Sequence, residues 1–225
     1  MIESRVSGRF SVSSLHPVFA GEHPLRLRSV AVKRRFAALL FAALLYIPAA
    51  RAQSGPERGG HELQVWAGGG HGTNGSQSSD KIVNVGLRYG WVLTGPHGPG
   101  FLRGRFEYAV DVVPVFLVLQ KTNTAYGAGV NPFALKWNFV EHHNIVPYAE
   151  LGGGTLFTNT NVPERTSSVN FTSSGALGLH FLQSKYNFSA EVRFMHISNA
   201  GLATPNPGIN TVQFRIGFGR FTQPQ

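Results

Sequence analysis

The chain has 225 residues, no cysteine, 42% hydrophobic residues and a formal net charge of +9 at pH 7. Without cysteine it can form neither disulfides nor thiolate metal sites. The positive charge is unevenly distributed, since residues 1–52 contain eight Lys or Arg and two acids, whereas residues 53–225 contain twelve and nine. Because the excess lies mainly at the N-terminus, the charge does not indicate a nucleic-acid partner.

Residues 1–52 have the composition of a leader that ends in a signal peptide. The basic run KRR at residues 33–35 precedes fifteen apolar residues, FAALLFAALLYIPAA, at 36–50. ARA at residues 50–52 then supplies the small residues of a cleavage site. The apolar run is shorter than the about 20 residues that a membrane-spanning helix needs, so we expect cleavage after it and export from the cytoplasm. Residues 1–29 are too polar and irregular for a signal sequence, and the natural start is expected beyond them.

From His61 onward, apolar and polar residues alternate, which is the period of a β-strand. In KIVNVGLRYGWVL, residues 81–93, aliphatic and aromatic side chains occupy every second position, with Asn84 and Arg88 between them. Turn-rich pieces separate eight such segments, and no helical period of comparable strength is present. The predicted strands are residues 62–71, 81–93, 100–118, 124–139, 145–157, 168–182, 186–198 and 210–221.

Two architectures fit this alternation. A soluble sandwich or lipocalin-type barrel buries its apolar face, whereas an outer-membrane barrel turns that face to lipid. The segments reach or exceed the about 9–11 residues of a transmembrane β-strand. Their polar faces carry small residues and opposed charges, and Arg103 and Arg105 with Glu107 and Asp111 predict an ion-pair ladder inside a barrel. We therefore predict that residues 53–225 form an all-β, eight-stranded antiparallel up-and-down transmembrane β-barrel.

This topology predicts where the aromatic residues and the connections lie. An even number of strands with both termini in the periplasm places the longer connections outside the cell. The seventh predicted strand then ends at the outer side. Aromatic residues near the segment ends are expected to form a girdle at the membrane interfaces. Its predicted members are Trp66, Tyr89, Trp91, Tyr108, Tyr126, Trp137 and Tyr148.

The stretch FMHISNAGLATPNPGIN, from Phe194 to Asn210, contains the end of the seventh predicted strand and the loop that follows it. His196 and Ser198 continue the parity of Phe194 and therefore face lipid, where an ionisable side chain is costly unless it has a function or lies at the headgroups. Residues two apart on a strand are about 6.6 Å apart on one face. A base beside a Ser is the minimal arrangement for activating a nucleophile, although the pattern alone also fits ordinary interfacial polar residues.

The same stretch resembles the H-x-S-N-A-G-L…P-N-x-G-I-E segment of PagL-type lipid A 3-O-deacylases, a family also grouped under acyloxyacyl hydrolases. The resemblance implies an eight-stranded barrel in the bacterial outer membrane and a serine-esterase type of hydrolase. Its substrate would be an ester-linked acyl chain of lipid A in the lipopolysaccharide of the outer leaflet. By the same resemblance His196 is the general base and Ser198 the nucleophile, while Asn199 and the backbone near Gly201 bind the oxyanion.

One position departs from the family pattern. Asn210 stands where the family has an acid. An amide oxygen can accept the second imidazole N–H and set the tautomer, but it supplies no negative charge to stabilise the imidazolium. A catalytically impaired member of the family and a non-enzymatic structural barrel therefore stay open as alternatives. No cofactor or metal is expected, and assembly into homo-oligomers is left open.

Overall fold

A computed structural model describes residues 52–53, 55–73 and 79–222 of the chain. The predicted signal peptide and the predicted start beyond residue 29 lie outside the described residues. Among those described, no helix is long and apolar enough to cross a membrane.

The described residues form a closed antiparallel β-barrel. Its strands are β1 Ala52–Gln53, β2 His61–Gly72, β3 Lys81–Val92, β4 Gly104–Leu119, β5 Thr124–Phe139, β6 Ile145–Thr158, β7 Val169–Leu182, β8 Asn187–Ser198 and β9 Ile209–Thr222. Strands β2 to β9 pair in chain order, and β9 closes the barrel by pairing with both β8 and β2. The two-residue strand β1 pairs with the end of β9. The predicted eight-stranded up-and-down barrel is confirmed.

One predicted strand boundary was wrong. The third predicted strand was expected from residue 100, but Gly100–Leu102 form a 3₁₀ turn and β4 begins at Gly104. The connections 93–103, 140–144 and 183–186 lie at one end of the barrel, called here the turn end. The connections 120–123, 159–168 and 199–208 lie at the other end, called here the loop end, with the end of β2 and the start of β3.

The two faces of the sheet are inverted relative to a soluble protein. Outward side chains are apolar and exposed, as with Leu177 at 69% and Ile216 at 57%. Inward side chains are polar and buried, as with Glu150 and Gln213, both at 2%. This inversion is the arrangement predicted from the alternation, because a barrel in lipid satisfies its polar groups only inside.

Ion pairs fill the middle of the barrel. The Arg88 guanidinium contacts Asp111 at 2.8 Å and Glu150 at 2.5 Å, and Arg193 contacts Glu150 at 2.6 Å. Toward the turn end, the Lys136 ammonium lies 2.5 Å from Glu62. Buried apolar residues lie on the loop-end side and on the turn-end side of these charges, so side chains occupy the interior of the barrel.

The predicted interior ion-pair ladder was correct for Glu107 and Asp111 and wrong for Arg103 and Arg105. Glu107 and Asp111 are buried among the interior charges, but Arg103 and Arg105 form no ion pair with a described residue. Arg103 is exposed beside the 3₁₀ turn, and Arg105 is only half-buried at the turn end. The cations come instead from the neighbouring strands, since Arg88 of β3 and Lys136 of β5 are the register partners of Asp111 and Glu107.

The predicted aromatic girdle was correct only in part. At the turn end, Tyr89 and Trp91 lie 4.6 Å apart edge to face, and Trp91 stacks on Tyr108 at 5.7 Å, all on the outer surface. Trp66 and Tyr148, however, are buried inside at 2% and 3% exposure. Each of these two residues is in phase with the inward-facing polar residues of its own strand. The Arg215 guanidinium lies 3.6 Å from the Trp66 ring centroid, and Tyr148 donates to Glu191 at 3.0 Å.

Candidate active site

The outer surface of β8 carries the candidate residues at the loop end. His196 and Ser198 are half-buried and alternate with the inward-facing, fully buried Met195 and Ile197. Both therefore share the outward face of Phe194, as the parity of the sequence indicates.

Pairing between strands brings a third residue of the sequence motif to His196. Asn210, at the start of β9, is the direct register partner of His196. The Asn210 amide oxygen lies 2.6 Å from His196 Nδ1. Because this oxygen can only accept, the ring proton is on Nδ1 and the lone pair is on Nε2. That tautomer is the one that a general base needs for a neighbouring hydroxyl.

The neighbours of Asn210 and His196 hold this pair in position. The Asn210 carbonyl accepts from the Thr73 backbone at 2.9 Å and from the Thr73 hydroxyl at 3.3 Å, which ties β9 to the end of β2. Gly208 packs against the imidazole with φ +66°, and a Cβ there would lie 2.7 Å from His196 Cε1. Only glycine permits this close approach in this backbone conformation.

Ser198 is two residues farther along β8 on the same face, with Phe171 of β7 as its register partner. Its hydroxyl forms no hydrogen bond with a described residue, and none joins it to His196. Catalytic hydrogen bonds are often long before substrate binds. The His196–Asn210 pair is therefore formed, and Ser198 lies two residues from His196 on the same face.

The loop that follows Ser198 is organised by Asn199, which is 1% exposed. Its amide nitrogen donates to the carbonyl of Ala203 at 3.1 Å and to that of Pro205 at 3.4 Å. Its amide oxygen accepts from the Gly201 N–H at 2.8 Å, and its own N–H donates to the Asn206 side chain at 3.1 Å. Both predicted oxyanion donors thus already have partners within the loop.

Thr73, Asn206 and Gly208 were missed by the sequence reasoning. A glycine directly before the last strand was a usable signal, because glycine often marks a close backbone approach. Nothing in the sequence indicates Thr73, since its contact depends on the closure of β2 against β9.

An apolar groove of about 730 Å³ lies on the outer surface of β4 to β8. Ala149, Leu151, Gly175 and Leu177 are among its lining residues. Phe194, the register partner of Gly175, also lines the groove and lies two residues before His196. The candidate catalytic residues are not part of the lining, and Phe194 is the lining residue nearest to them along β8.

The fold defines the class of protein to which the chain belongs. A closed eight-stranded barrel with an apolar outer face is typical of small outer-membrane proteins. In this chain, His196 and Ser198 lie on that face. The crystal structure of the outer membrane enzyme PagL superposes with a TM-score of 0.54 at 23% identity, covering 68% of this chain and 97% of that one. The outer membrane protein OprG from Pseudomonas aeruginosa gives 0.48 at 13% identity, covering 76% and 99%.

Residues 84–219 match the family model described as lipid A 3-O-deacylase (PagL). The match covers more than half of the chain, so the chain belongs to the PagL family. Lipid A deacylase PagL of Bordetella bronchiseptica is 37% identical over 67 residues, which is 29% of this chain and 37% of the relative. The aligned stretch thus spans little more than a third of that curated relative.

Proposed function

We propose that this protein is an outer-membrane esterase that removes an ester-linked acyl chain from lipid A of lipopolysaccharide. Ser198 is the nucleophile, His196 the general base, and Asn210 orients the imidazole. The observation that carries the proposal is the 2.6 Å hydrogen bond between Asn210 and His196, beside Ser198 on the outer face of the barrel. Membership of the PagL family supports the substrate.

In the proposed reaction, Ser198 Oγ attacks the ester carbonyl carbon while its proton passes to His196 Nε2. The tetrahedral intermediate collapses, the carbon–oxygen bond to the sugar breaks, and the imidazolium returns the proton to the sugar oxygen. Water, deprotonated by His196, then hydrolyses the acyl-enzyme and releases the fatty acid. Asn210 keeps the proton on Nδ1 throughout both steps.

The oxyanion is proposed to bind at the turn formed by Asn199, Ala200 and Gly201. The Asn199 amide and the Gly201 N–H hydrogen-bond within the loop, so each would have to share its donor with the oxyanion. The Ala200 N–H has no hydrogen-bond partner among the described residues and follows Ser198 closely. Backbone N–H groups that are held rigidly are effective oxyanion donors.

Substrate is proposed to reach the site from the bilayer. The interior cavity lined by Trp66 and Phe116 measures only about 10 Å³, room for about one water molecule, and the interior charges occupy the rest of the barrel. The outer groove beside Phe194 offers apolar lining to an acyl chain whose ester lies at Ser198. With the loop end outward, the part of this surface that carries His196 and Ser198 faces the outer leaflet, where lipid A is found.

The direct test uses the full chain, purified from outer membranes and mixed with lipopolysaccharide. Mass spectrometry of lipid A should show the loss of one acyl chain with the wild type and none with Ser198→Ala. Ser184→Ala changes an exposed serine at the turn end and should leave the loss unchanged. Retention of every acyl chain by the wild type would refute the proposed activity.

The second candidate is a family member with impaired chemistry. Asn210 favours this reading, because the site has the geometry of a triad without its negative charge. An Asn210→Glu variant distinguishes the two readings. If the wild type leaves lipid A intact and Asn210→Glu removes an acyl chain, the scaffold has been retained and the activity reduced.

Export and orientation form a separate part of the proposal. The predicted signal peptide should be cleaved after Ala52, and the loop end should face outward. Membrane fractionation and N-terminal sequencing of the purified protein test the first point. Protease treatment of intact cells that carry a cleavage site inserted in the loop 159–168 tests the second, and protection of that site would contradict the orientation.

A further inference from the structure

Three buried side-chain oxygen atoms near the loop end have no hydrogen-bond donor among the described residues, and one of them is Asn170 Oδ1. The other two are Asp80 Oδ2 and Gln120 Oε1. The Asp80 residue is 1% exposed. Such buried acceptors are uncommon in folded proteins, and a buried carboxylate without a partner carries a substantial desolvation cost.

The strand register brings these two residues together. Lys81 of β3 pairs with Leu119 of β4, so Asp80 and Gln120 are the next opposite positions toward the loop end. They share the inward parity of the buried Ile82 and Val118. Opposite residues in an antiparallel pair have Cβ atoms about 5 Å apart. Both unpaired oxygens therefore belong to side chains on the same side of the sheet, at the mouth of the barrel.

The orientation of the Gln120 amide is set by its other atom. Its nitrogen donates to Asn123 Oδ1 and to the Asn161 carbonyl, each at 2.9 Å. Both partners are acceptors, so the nitrogen must face them and the oxygen is directed elsewhere. The second of these contacts also joins the β4–β5 turn to the loop 159–168.

That loop also carries a carboxylate, Glu164, which is hydrogen-bonded to the β4–β5 turn two residues after Gln120. Glu164 Oε1 accepts from the backbone and the hydroxyl of Thr122 at 2.9 and 2.5 Å, and its Oε2 accepts from no described residue. Burial and the nearby Glu164 carboxylate raise the pKa of Asp80 to about 6. The hydrogen bonds from Thr122, and then the charges of Arg165 and Lys121, lower the pKa of Glu164.

We propose that Asp80, Gln120 and Glu164 bind a divalent cation. Among divalent cations, Ca²⁺ fits these ligands best. The three groups offer carboxylate and amide oxygens, the ligands that Ca²⁺ prefers, and water would complete its six to eight positions. The ion supplies the positive partner that Asp80 Oδ2 and Gln120 Oε1 lack. It also ties β3 and β4 to the loop 159–168. This site is separate from the candidate active site and does not depend on the proposed esterase.

Binding is measured by isothermal titration of CaCl₂ into the full chain, stripped with EDTA in detergent that is free of lipopolysaccharide. The wild type should bind one Ca²⁺, and Asp80→Asn should weaken binding at least tenfold. Glu164→Gln should weaken it in the same direction. Glu141→Gln is the matched control, because Glu141 is an exposed carboxylate at the turn end, and its affinity should equal that of the wild type.

Thermal unfolding in detergent provides a second readout. Ca²⁺ should raise the unfolding midpoint of the wild type, since it binds the folded state, and should not raise that of Asp80→Asn. In EDTA, Asp80→Asn should unfold above the wild type, because it removes a buried charge without a partner. No Ca²⁺ binding by the wild type at millimolar concentration, or equal binding by Asp80→Asn, would overturn the site. If Asp80→Asn does not fold, wild-type affinity in Glu164→Gln overturns it.

Discussion

Asn210 faces His196 across β8 and β9, and its amide oxygen lies 2.6 Å from the imidazole Nδ1. The contact occupies the place that a carboxylate takes in a Ser-His-acid triad. Asn210 can orient the ring and select its tautomer, but an imidazolium beside a neutral amide lacks the stabilisation that a carboxylate provides. The relationship therefore predicts an active site that is assembled and slow.

Changing Asn210 separates these two contributions. Asn210→Ala removes the orienting oxygen and should lower the deacylation rate at least tenfold. Asn210→Asp keeps the size of the side chain and adds a negative charge that stabilises the imidazolium; we expect a gain of at least tenfold. Initial rates on lipopolysaccharide measure both. A faster Asn210→Ala enzyme would contradict the assigned role.

Gly208 should be intolerant of even a methyl group. In Gly208→Ala the new Cβ would lie 2.7 Å from His196 Cε1 in a left-handed backbone conformation, so the imidazole must leave its present position. We expect a loss of deacylation of at least tenfold, with the barrel still folded by circular dichroism. Gly100→Ala is the control, since Gly100 also has positive φ but lies at the turn end with open space around it. Equal loss in both variants would argue for backbone strain alone.

Filling the outer groove with a larger side chain should lower activity on long acyl chains more than on short ones. Gly175→Leu places a side chain in the groove beside Leu151, so esters of long fatty acids should lose more activity than esters of short ones. Ala67→Leu adds the same bulk on the outward face of β2, away from the groove, and should leave the ratio of the two rates unchanged. Rates on synthetic esters of graded chain length measure this ratio, and a uniform decrease would mean that the groove does not hold the chain.

The interior ion pairs should contribute to stability rather than to catalysis. Glu150 contacts both Arg88 and Arg193, so Glu150→Gln leaves two buried guanidinium groups without their shared carboxylate. Breaking a buried pair in this way costs about 3–5 kcal/mol, measured as the free energy of unfolding in urea and detergent. Glu141→Gln, on the exposed turn, should change it by less than about 0.5 kcal/mol. A wild-type free energy for Glu150→Gln would contradict the role of the network.

Trp66 and His196 show how well side-chain orientation could be predicted from the sequence. The parity that correctly directs His196 outward also directs Trp66 inward, in phase with Glu62 and Gln64 of β2. The expectation of an aromatic girdle outweighed that parity and was wrong. The prediction for Arg103 and Arg105 was wrong for another reason, because Glu107 and Asp111 pair with cations of the neighbouring strands β5 and β3 and not with cations of their own strand.

The sequence by itself determined the strand periods, the inverted faces and the outward position of His196 and Ser198, because a side-chain period of two is a local property of the backbone. Only the tertiary structure decided that Asn210 meets His196, that Thr73 supports Asn210 and that Gly208 packs against the ring. These contacts depend on the register between β8, β9 and β2 and on barrel closure. Register is set by the fit of whole strands, and a shift of one residue would turn Asn210 into the barrel.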